Sequence, residues 1–155
     1  MPITNDDRKW MRLALLEARR ALKYGDVPIG AVAAHRGEII GRGYNRREAD
    51  QDPTAHAEMI ALREAAAARH SWRLDDVTLY CTLEPCAMCA GAMVLARLPR
   101  LVYAAADPKA GAAGGVFDIT RHHRLNHSLH VEGGLFADEA AQLIRDFFRQ
   151  LRNRS

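Results

Sequence analysis

One imidazole, one carboxylate and two thiols stand in two short segments whose residue types can bind a metal ion and move a proton. Residues 53–58 contain His56 and Glu58, and residues 82–89 contain Cys86 and Cys89. Zinc takes sulfur and nitrogen ligands in a tetrahedron, and a Cys-x-x-Cys pair at the start of a helix lets two thiolates converge on one ion. His56, Cys86 and Cys89 are therefore the predicted zinc ligands.

Three protein ligands leave the fourth position of a tetrahedral zinc to water, which is typical of a catalytic rather than a structural site. Such a water has its pKa lowered towards about 7, so hydroxide is available at neutral pH. Glu58 is the predicted catalytic residue, because its carboxylate can take a proton from that hydroxide and pass it on. Residues two apart on a regular helix lie about 200° apart. His56 and Glu58 therefore both face the metal only if a helix begins between them, as the start signals at residues 52–54 favour.

These residues also have simpler interpretations. Cys86 and Cys89 alone could form a redox pair, as in thioredoxin-like proteins, and a structural zinc site would need a fourth ligand. The only other cysteine, Cys81, lies in an apolar run and is predicted to be a small residue of a buried strand. His56 alone would more often be an ordinary surface or core histidine, and Glu58 a plain helix N-terminal carboxylate. Their spacing from each other and the downstream thiols favour the metal site.

The composition predicts one globular domain over residues 1–155. Hydrophobic residues make up 48% of the chain and charged residues 26%, which is ordinary for a water-soluble fold with a full core. No apolar run is long enough to cross a membrane, and the polar, acidic start does not resemble a signal peptide. Three cysteines suit a reducing compartment, so a cytoplasmic location is expected. The formal net charge of +3 permits a nucleic-acid partner without demanding one.

Apolar periodicity predicts helices interleaved with short strands, which indicates a three-layer α/β/α sandwich. A first helix capped by Thr4 or Asn5 is followed by helices predicted over 57–70, 86–97 and 138–152. Strands are predicted over 29–34, 38–44, 77–82, 101–105 and 129–131. The polar segment 45–54 is predicted to be a loop.

Three further segments carry weaker signals. The glycine-rich segment 107–115 fits no phosphate-loop spacing, so a phosphate cradle is a weak prediction. The histidine-rich segment 121–130 is expected to contact RNA or a neighbouring subunit rather than to hold a second metal ion. The last helix has Phe147 and Phe148 among arginines. In one interpretation the two aromatic residues belong to the core and the arginines are solvated. In the other, which is equally well supported, this surface binds phosphates and a stacked base.

These motifs resemble a known group of enzymes. His-Ala-Glu at 56–58 followed by Pro-Cys-Ala-Met-Cys at 85–89 resembles the signature of the zinc nucleobase deaminases. Further segments resemble the bacterial tRNA-specific adenosine deaminases, a family of the zinc cytidine/deoxycytidylate deaminase superfamily. The matching segments are 27–32, 43–46, 52–58, 82–93, 111–114 and 146–149. The resemblance therefore covers nearly the whole chain.

The resemblance implies a fold and a reaction. The fold would be a five-stranded mixed sheet with the metal at the starts of two helices. The reaction would be hydrolytic deamination of adenosine to inosine at the wobble position of tRNA, with zinc-activated hydroxide attacking C6 of adenine. Glu58 would move a proton to N1 and then to the leaving ammonia. One Zn²⁺ per subunit is the implied cofactor, a tRNA anticodon loop the implied partner and a homodimer the implied assembly.

The same resemblance implies a set of substrate-binding residues. They are Asn45, Val27, Ile29, Asp107, Asn126, Phe148 and Arg149. Asn45 would hydrogen-bond the purine, three apolar side chains would shape the pocket, and Asp107 and Asn126 lie in loops that the family uses for RNA.

Two other functions remain open at this point. A deaminase of a free base or nucleoside, such as guanine, cytosine or cytidine, would use the same zinc chemistry, so the metal motif does not separate it from a tRNA deaminase. A non-catalytic, zinc-stabilised RNA-binding module is a hypothesis of another class.

Overall fold

Five strands form one mixed sheet in the computed structural model, which describes residues 2–154. The strands are β1 (Gly30–His35), β2 (Glu38–Tyr44), β3 (Thr78–Leu83), β4 (Arg100–Ala105) and β5 (His130–Gly133). Their order is β2-β1-β3-β4-β5, with β1 antiparallel to both neighbours and β3, β4 and β5 parallel to one another. This sheet confirms the predicted five-stranded mixed architecture. The prediction of one domain over 1–155 stays a prediction, and its two terminal residues lie outside the described range.

Helices cover both faces of the sheet. They are α1 (Asn5–Leu22), α2 (Arg47–Asp50), α3 (Ala57–Arg69), α4 (Ala87–Leu95) and α5 (Ala137–Asn153). Helices α1 and α5 pack on one face around Val32, Tyr80 and Val102, and α3 and α4 pack on the other around Leu79 and Leu101. Because successive strand residues point to opposite faces, the central strands are apolar on both sides. The predicted three-layer α/β/α sandwich is confirmed.

Helix α2 was predicted to be part of a loop, and that prediction is wrong. The buried carboxylate of Asp26 accepts hydrogen bonds from the backbone N–H groups of Glu48 at 2.6 Å and Ala49 at 3.0 Å. These N–H groups lie in the first turn of α2, where they have no partner inside the helix. The capping residue comes from a distant part of the chain, so the local sequence of α2 carries no signal for it.

Two glycines of β2 let α3 approach the sheet closely. A Cβ on Gly41 would lie 2.3 Å from the carbonyl oxygen of Ala61, and one on Gly43 would lie 2.5 Å from that of Ala57. Real side chains do not make contacts this short, so both positions require glycine. The close approach fixes the start of α3 against the end of β2, which is where His56 lies.

A buried ionic cluster ties the start of α1 to the middle of the sheet. Thr4 caps α1 and forms a reciprocal capping box with Asp7. The Asp7 carboxylate also accepts hydrogen bonds from Tyr80 at 2.6 Å and from both terminal nitrogens of Arg100 at 2.7 and 2.9 Å. Burial opposes ionisation of Asp7, but the hydrogen bonds from Arg100, Tyr80 and Thr4 outweigh it and hold the pKa of Asp7 far below its usual value.

Replacing Asp7 by asparagine should destabilise the fold by about 3 kcal/mol at pH 7, because Arg100 would be left buried without its counter-ion. A carboxyl whose pKa is lower in the folded chain contributes stability above its unfolded pKa, about 3.9, and loses it as the pH falls below that value. The stability difference between wild type and Asp7→Asn should therefore shrink below pH 4. Urea denaturation at pH 7, 5, 4 and 3 measures it. The exposed neighbour Asp6 provides the control, since Asp6→Asn should change stability by less than about 0.5 kcal/mol.

No helix among residues 2–154 has both the length and the apolar character needed to span a membrane.

Candidate active site

Helices α3 and α4 begin at the same place, and each begins at a predicted ligand. His56 is the N-cap of α3 with extended backbone (φ −82°, ψ 150°), and Cys86 is the N-cap of α4 (φ −75°, ψ 178°). Helix α4 therefore begins at Ala87, one residue later than the predicted start at residue 86. Because His56 is not yet helical, Glu58 in the first turn of α3 reaches the same cavity as the imidazole.

The three predicted ligands converge with the spacing of a zinc site. Nδ1 of His56 lies 3.6 Å from Sγ of Cys86 and 3.6 Å from Sγ of Cys89. Zinc bonds of about 2.3 Å to sulfur and 2.0–2.1 Å to nitrogen at a tetrahedral angle give a nitrogen–sulfur separation of about 3.6 Å. Within the described residues this donor group has three members. The residues present therefore fit a zinc ion and leave one ligand position that the chain does not fill.

The thiols are poised to bind a cation. The hydrogen bond from Cys89, followed by that from His56, lowers the pKa of Cys86 to about 3. The same thiol pair and burial raise the pKa of Cys89, and the contact with Cys86 raises the pKa of His56. Both helix N-termini add positive potential, which favours thiolates. Metal binding should release the remaining protons.

Cys81 is a core residue, as predicted. It is fully buried on β3 among the apolar residues that pack against α3 and α4. Burial, followed by the nearby carboxylates of Glu58 and Glu84, raises the pKa of Cys81 well above its usual value. A thiol held neutral in this way is a poor metal ligand.

Glu58 is a buried carboxyl group at the wall of a small cavity. Only 4% of the residue is exposed, and His56 and Cys86 line the same cavity. Burial raises the pKa of Glu58 to about 7, although the positive charge of His56 opposes this shift. A group with this pKa can both accept and donate a proton near neutral pH, which is what general acid–base catalysis requires.

The cavity next to Glu58 has a volume of about 170 Å³. Pockets for drug-sized ligands usually start at about 300 Å³, so this one suits a single flat base with its sugar outside. Four of the predicted substrate residues lie in its wall, namely Val27, Ile29, Asn45 and Asp107. Their roles in substrate binding stay predictions.

Asn45 contributes a side-chain amide to this wall and is held in place by its neighbours. Its side-chain amide donates to the carbonyl of Val27 at 3.3 Å, and its side-chain oxygen accepts from the N–H of Arg47 at 3.3 Å. The backbone N–H of Asn45 donates to Ile29. An amide has two donor hydrogens and two acceptor lone pairs, so one of each remains for a ligand.

The other predicted substrate residues lie farther from the donor group. Phe148 lines a second cavity of about 560 Å³, which shares Val27 and Asp107 with the first and lies between the 106–109 segment and α5. Asn126 lies in a separate groove beside α4, and Arg149 is mostly exposed, 3.5 Å from Asp146. A single chain therefore does not bring Asn126 or Arg149 to the cavity wall, and both stay predictions.

Glu84 is a buried residue of the site whose structural role the sequence analysis missed. It is 2% exposed, and its carboxylate accepts hydrogen bonds from the backbone N–H groups of Asp107 at 2.9 Å, Ala113 at 2.9 Å and Gly115 at 2.7 Å. The N–H groups of the 107–115 loop thus bind an internal anion, which accounts for its glycines. A Cβ on Gly111 would lie 2.3 Å from the Glu84 carboxyl carbon. The available signal in the sequence was a cluster of glycines in the loop just after a strand. No local sequence pattern links this loop to Glu84.

Replacing Glu84 by glutamine should lower the melting temperature by about 4 °C or more. The amide would present N–H groups to the loop's N–H donors, and a hydrogen bond to a charged group contributes about 1.5–3 kcal/mol. Thermal denaturation measures the loss, and Glu64→Gln, at an exposed position of α3, is the matched control. A melting temperature equal to wild type would show that the loop holds its conformation without this carboxylate.

A nitrogen and two sulfurs at the starts of two helices, with a buried carboxyl group beside them on this sheet, define a zinc-type deaminase domain. The family model for MafB19-like deaminases matches residues 5–152, and the chain belongs to that family.

Two individual relatives have high sequence identity to this chain over most of its length. A tRNA-specific adenosine deaminase of Bacillus subtilis is 45% identical over 148 residues, covering 96% of this chain and 92% of the relative. The tRNA-specific adenosine deaminase of Haemophilus influenzae is 46% identical over 94% of this chain and 85% of its own length. These relatives confirm the resemblance predicted from the sequence.

Solved structures show the same fold. A structure from a study of A-to-I editing by tRNA:A34 deaminases at the wobble position has a TM-score of 0.82 and 44% identity, covering 87% of this chain and 98% of its own. A guanine deaminase from Nitrosomonas europaea has a TM-score of 0.78 at 27% identity, covering 94% and 86%. The fold is thus shared by enzymes with different substrates, so the substrate must be argued from the site and the closer relatives.

Proposed function

We propose that this protein hydrolyses adenosine to inosine at the wobble position of tRNA. The observation that carries the proposal is a zinc-shaped donor group beside a buried carboxyl group in a base-sized cavity. Relatives named tRNA-specific adenosine deaminases share 45% identity over nearly the whole chain, which supports tRNA as the substrate. The reaction adds water to C6 of adenine and releases ammonia.

His56, Cys86 and Cys89 would hold one zinc ion per subunit. When bound, zinc supplies a Lewis acid that makes water acidic enough to act as a nucleophile at neutral pH. The donor set is soft and nitrogen-containing, which suits zinc better than magnesium or calcium. The three side chains would hold the ion next to Glu58, which lines the same cavity as His56 and Cys86.

Glu58 would carry the protons. It would accept a proton from the attacking water and deliver it to N1 of adenine as the bond to C6 forms. It would then accept the proton of the new C6 hydroxyl group and deliver it to the amino group, so that ammonia leaves as the C6–N6 bond breaks and the C6 carbonyl forms. Its raised pKa suits both directions of transfer. Asn45 would hydrogen-bond the purine with the side-chain N–H and the oxygen lone pair that its contacts within the protein do not use. Val27 and Ile29 would pack on the base.

Asp107, Phe148 and Arg149 would contact the RNA around the target base. An anticodon loop presents unpaired bases, so turning one out of its stack costs little. Asp107 and Phe148 line the larger cavity that adjoins the first, where nucleotides next to the target would lie. Arg149, on the exposed side of α5, would meet phosphates. We place the reaction in the cytoplasm, because the zinc ligands need reduced thiols.

Inosine formation tests the proposal. Purified protein loaded with zinc is incubated with a tRNA that has adenosine at the wobble position, and with free adenosine, cytidine and guanine. Inosine at the wobble position, with little ammonia from the free compounds, is the expected result. Ammonia from a free base alone would overturn the proposal in favour of the second candidate.

The second candidate is a deaminase of free guanine. It is favoured by one observation, the TM-score of 0.78 with the Nitrosomonas europaea guanine deaminase. The identity of 27% to that enzyme is well below the 45% shared with the tRNA-specific relatives. The cavity also adjoins a second, larger one, which a free base would leave empty.

We further propose a homodimer built on the outer surface of α3, α4 and the 116–126 segment. Two apolar grooves flank Leu95, one containing Trp72 and the other Leu125 and Asn126. Leu95 is 71% exposed and Trp72 61% exposed. A surface this apolar usually binds another protein. A second copy on this surface would bring its own 121–130 segment, including Asn126, towards the neighbouring site.

Replacing Leu95 by aspartate should convert the dimer to a monomer, because the charge would be buried without a partner. Light scattering coupled to gel filtration measures the mass. Leu16→Asp is the control, since Leu16 is 57% exposed on the opposite layer. A wild-type mass of 17.2 kDa would contradict the dimer.

A further inference from the structure

Two tyrosines stack on each other beside the cavity and have no part in the chemistry described above. Tyr24 follows α1, and Tyr44 is the last residue of β2. Their rings are parallel within 8°, with centroids 6.1 Å apart. Tyr24 is 45% exposed, so much of its ring is available to a ligand.

Cationic side chains lie next to the same two rings. The guanidinium of Arg46 lies 5.2 Å from the ring centroid of Tyr24 and 5.4 Å from that of Tyr44, and Arg20 lies 4.9 Å from Tyr44. Arg46 is held in place by Asp50 at 2.9 Å and by the Tyr44 hydroxyl at 2.7 Å. Tyr24, Tyr44 and Arg46 therefore form a fixed surface of π-faces, which we call the tyrosine platform.

The chain connects the platform to the wall of the cavity at two points. Tyr44 is directly followed by Asn45, and Tyr24 stands three residues before Val27. The Asn45 side chain donates to the carbonyl of Val27, so this hydrogen bond joins the two segments that carry the rings. Asn45 and Val27 both line the cavity. A nucleotide close to the target base would thus lie within reach of the rings.

We propose that the tyrosine platform binds an unpaired nucleobase within two nucleotides of the target adenosine by stacking on Tyr24. The proposal rests on the proposed function, because it names a further contact for the same RNA. Single-stranded bases stack on aromatic side chains with little dependence on sequence, and arginine adds a cation–π contribution. Tyrosine has few rotatable bonds, so ordering it on binding costs little entropy. The platform would add affinity for RNA without taking part in proton transfer.

The test separates stacking from other effects by removing either the ring or the base. The probe is an anticodon stem-loop with purine riboside at the target position, which lacks the 6-amino group and cannot be deaminated. Four further RNAs lack one base each, at the two positions on either side of the target. Fluorescence anisotropy gives the Kd of each RNA for wild type, Tyr24→Leu and Tyr24→Phe. Leucine keeps apolar area without a π-face, and phenylalanine keeps the ring.

Tyr24→Leu should weaken binding of the complete RNA by about fivefold or more, and Tyr24→Phe by less than about twofold. With one of the four abasic RNAs, wild type and Tyr24→Leu should bind equally, because no base is left to stack. Equal weakening of all five RNAs, or no weakening, would overturn the platform. Inosine formation by wild type on the adenosine stem-loop is measured in parallel. Inosine without base-dependent weakening contradicts the platform alone, whereas base-dependent weakening without inosine contradicts the proposed function alone.

Discussion

Replacing Glu58 by glutamine should lower the turnover of wobble adenosine by about 100- to 10,000-fold, the usual contribution of general acid–base catalysis. Glutamine has nearly the same shape but neither accepts nor donates a proton at neutral pH. Because the carboxyl group lines the cavity without belonging to the donor group, the variant should keep its zinc and its fold. Inosine formation under single-turnover conditions gives the rate, and elemental analysis gives the zinc content.

The matched control is Glu64→Gln on the exposed side of the same helix, which should retain wild-type turnover. Glu58→Ala should lose as much activity as Glu58→Gln, since both remove the proton carrier. Wild-type turnover in Glu58→Gln would take this residue out of the mechanism. If wild type itself binds RNA and zinc without forming inosine, the chain is instead a zinc-stabilised RNA-binding module.

The donor group was predictable because its information is local. A histidine just after helix-start signals and two thiols three residues apart at a later helix start each give a local signal for metal ligands, whereas their meeting across 30 residues follows from the fold. The structure places His56 and Cys86 at N-caps and Cys89 in the first turn of α4. An N-cap residue and the third helical residue are neighbours, as in a capping box, so the two sulfurs converge.

The sheet and the long helices were predictable for the same reason. Periodicity along α1 and α5 and the apolar runs of β3 and β4 each reflect a single element packing on the core. Their observed bounds differ from the predicted ones by at most two residues, because helix and strand ends are set by hydrogen bonds to residues outside the element.

What the sequence did not predict depends on contacts between distant parts of the chain. Asp26 caps α2 from 22 residues away, and Glu84 holds a loop 23 to 31 residues downstream. Tyr24 and Tyr44 meet only because α1 packs beside β2. The sequence around a buried carboxylate does not indicate which N–H groups will donate hydrogen bonds to it. The roles of Asp26 and Glu84 therefore become evident only once the fold is known.

Removing a zinc ligand is expected to have the second large effect. Cys86→Ser or His56→Ala leaves two of three protein donors, so zinc content should fall to well below one ion per chain and turnover should be lost. The melting temperature should also fall, because a metal that binds only the folded chain stabilises it. Elemental analysis after dialysis against metal-free buffer measures the zinc content.

Cys81→Ala is the control that separates ligation from the mere loss of a thiol. Cys81 is buried in the core outside the donor group, so this variant should keep one zinc ion per chain despite a modest loss of stability. Full zinc occupancy in Cys86→Ser would remove that residue from the ligands. A wild-type protein that contains no zinc and oxidises Cys86 and Cys89 to a disulfide would favour the redox pair. Both sulfurs lie 3.6 Å from one imidazole nitrogen, which is the separation of two ligands on a tetrahedral zinc ion. A redox pair does not require a nitrogen at this distance, so the geometry favours the metal site.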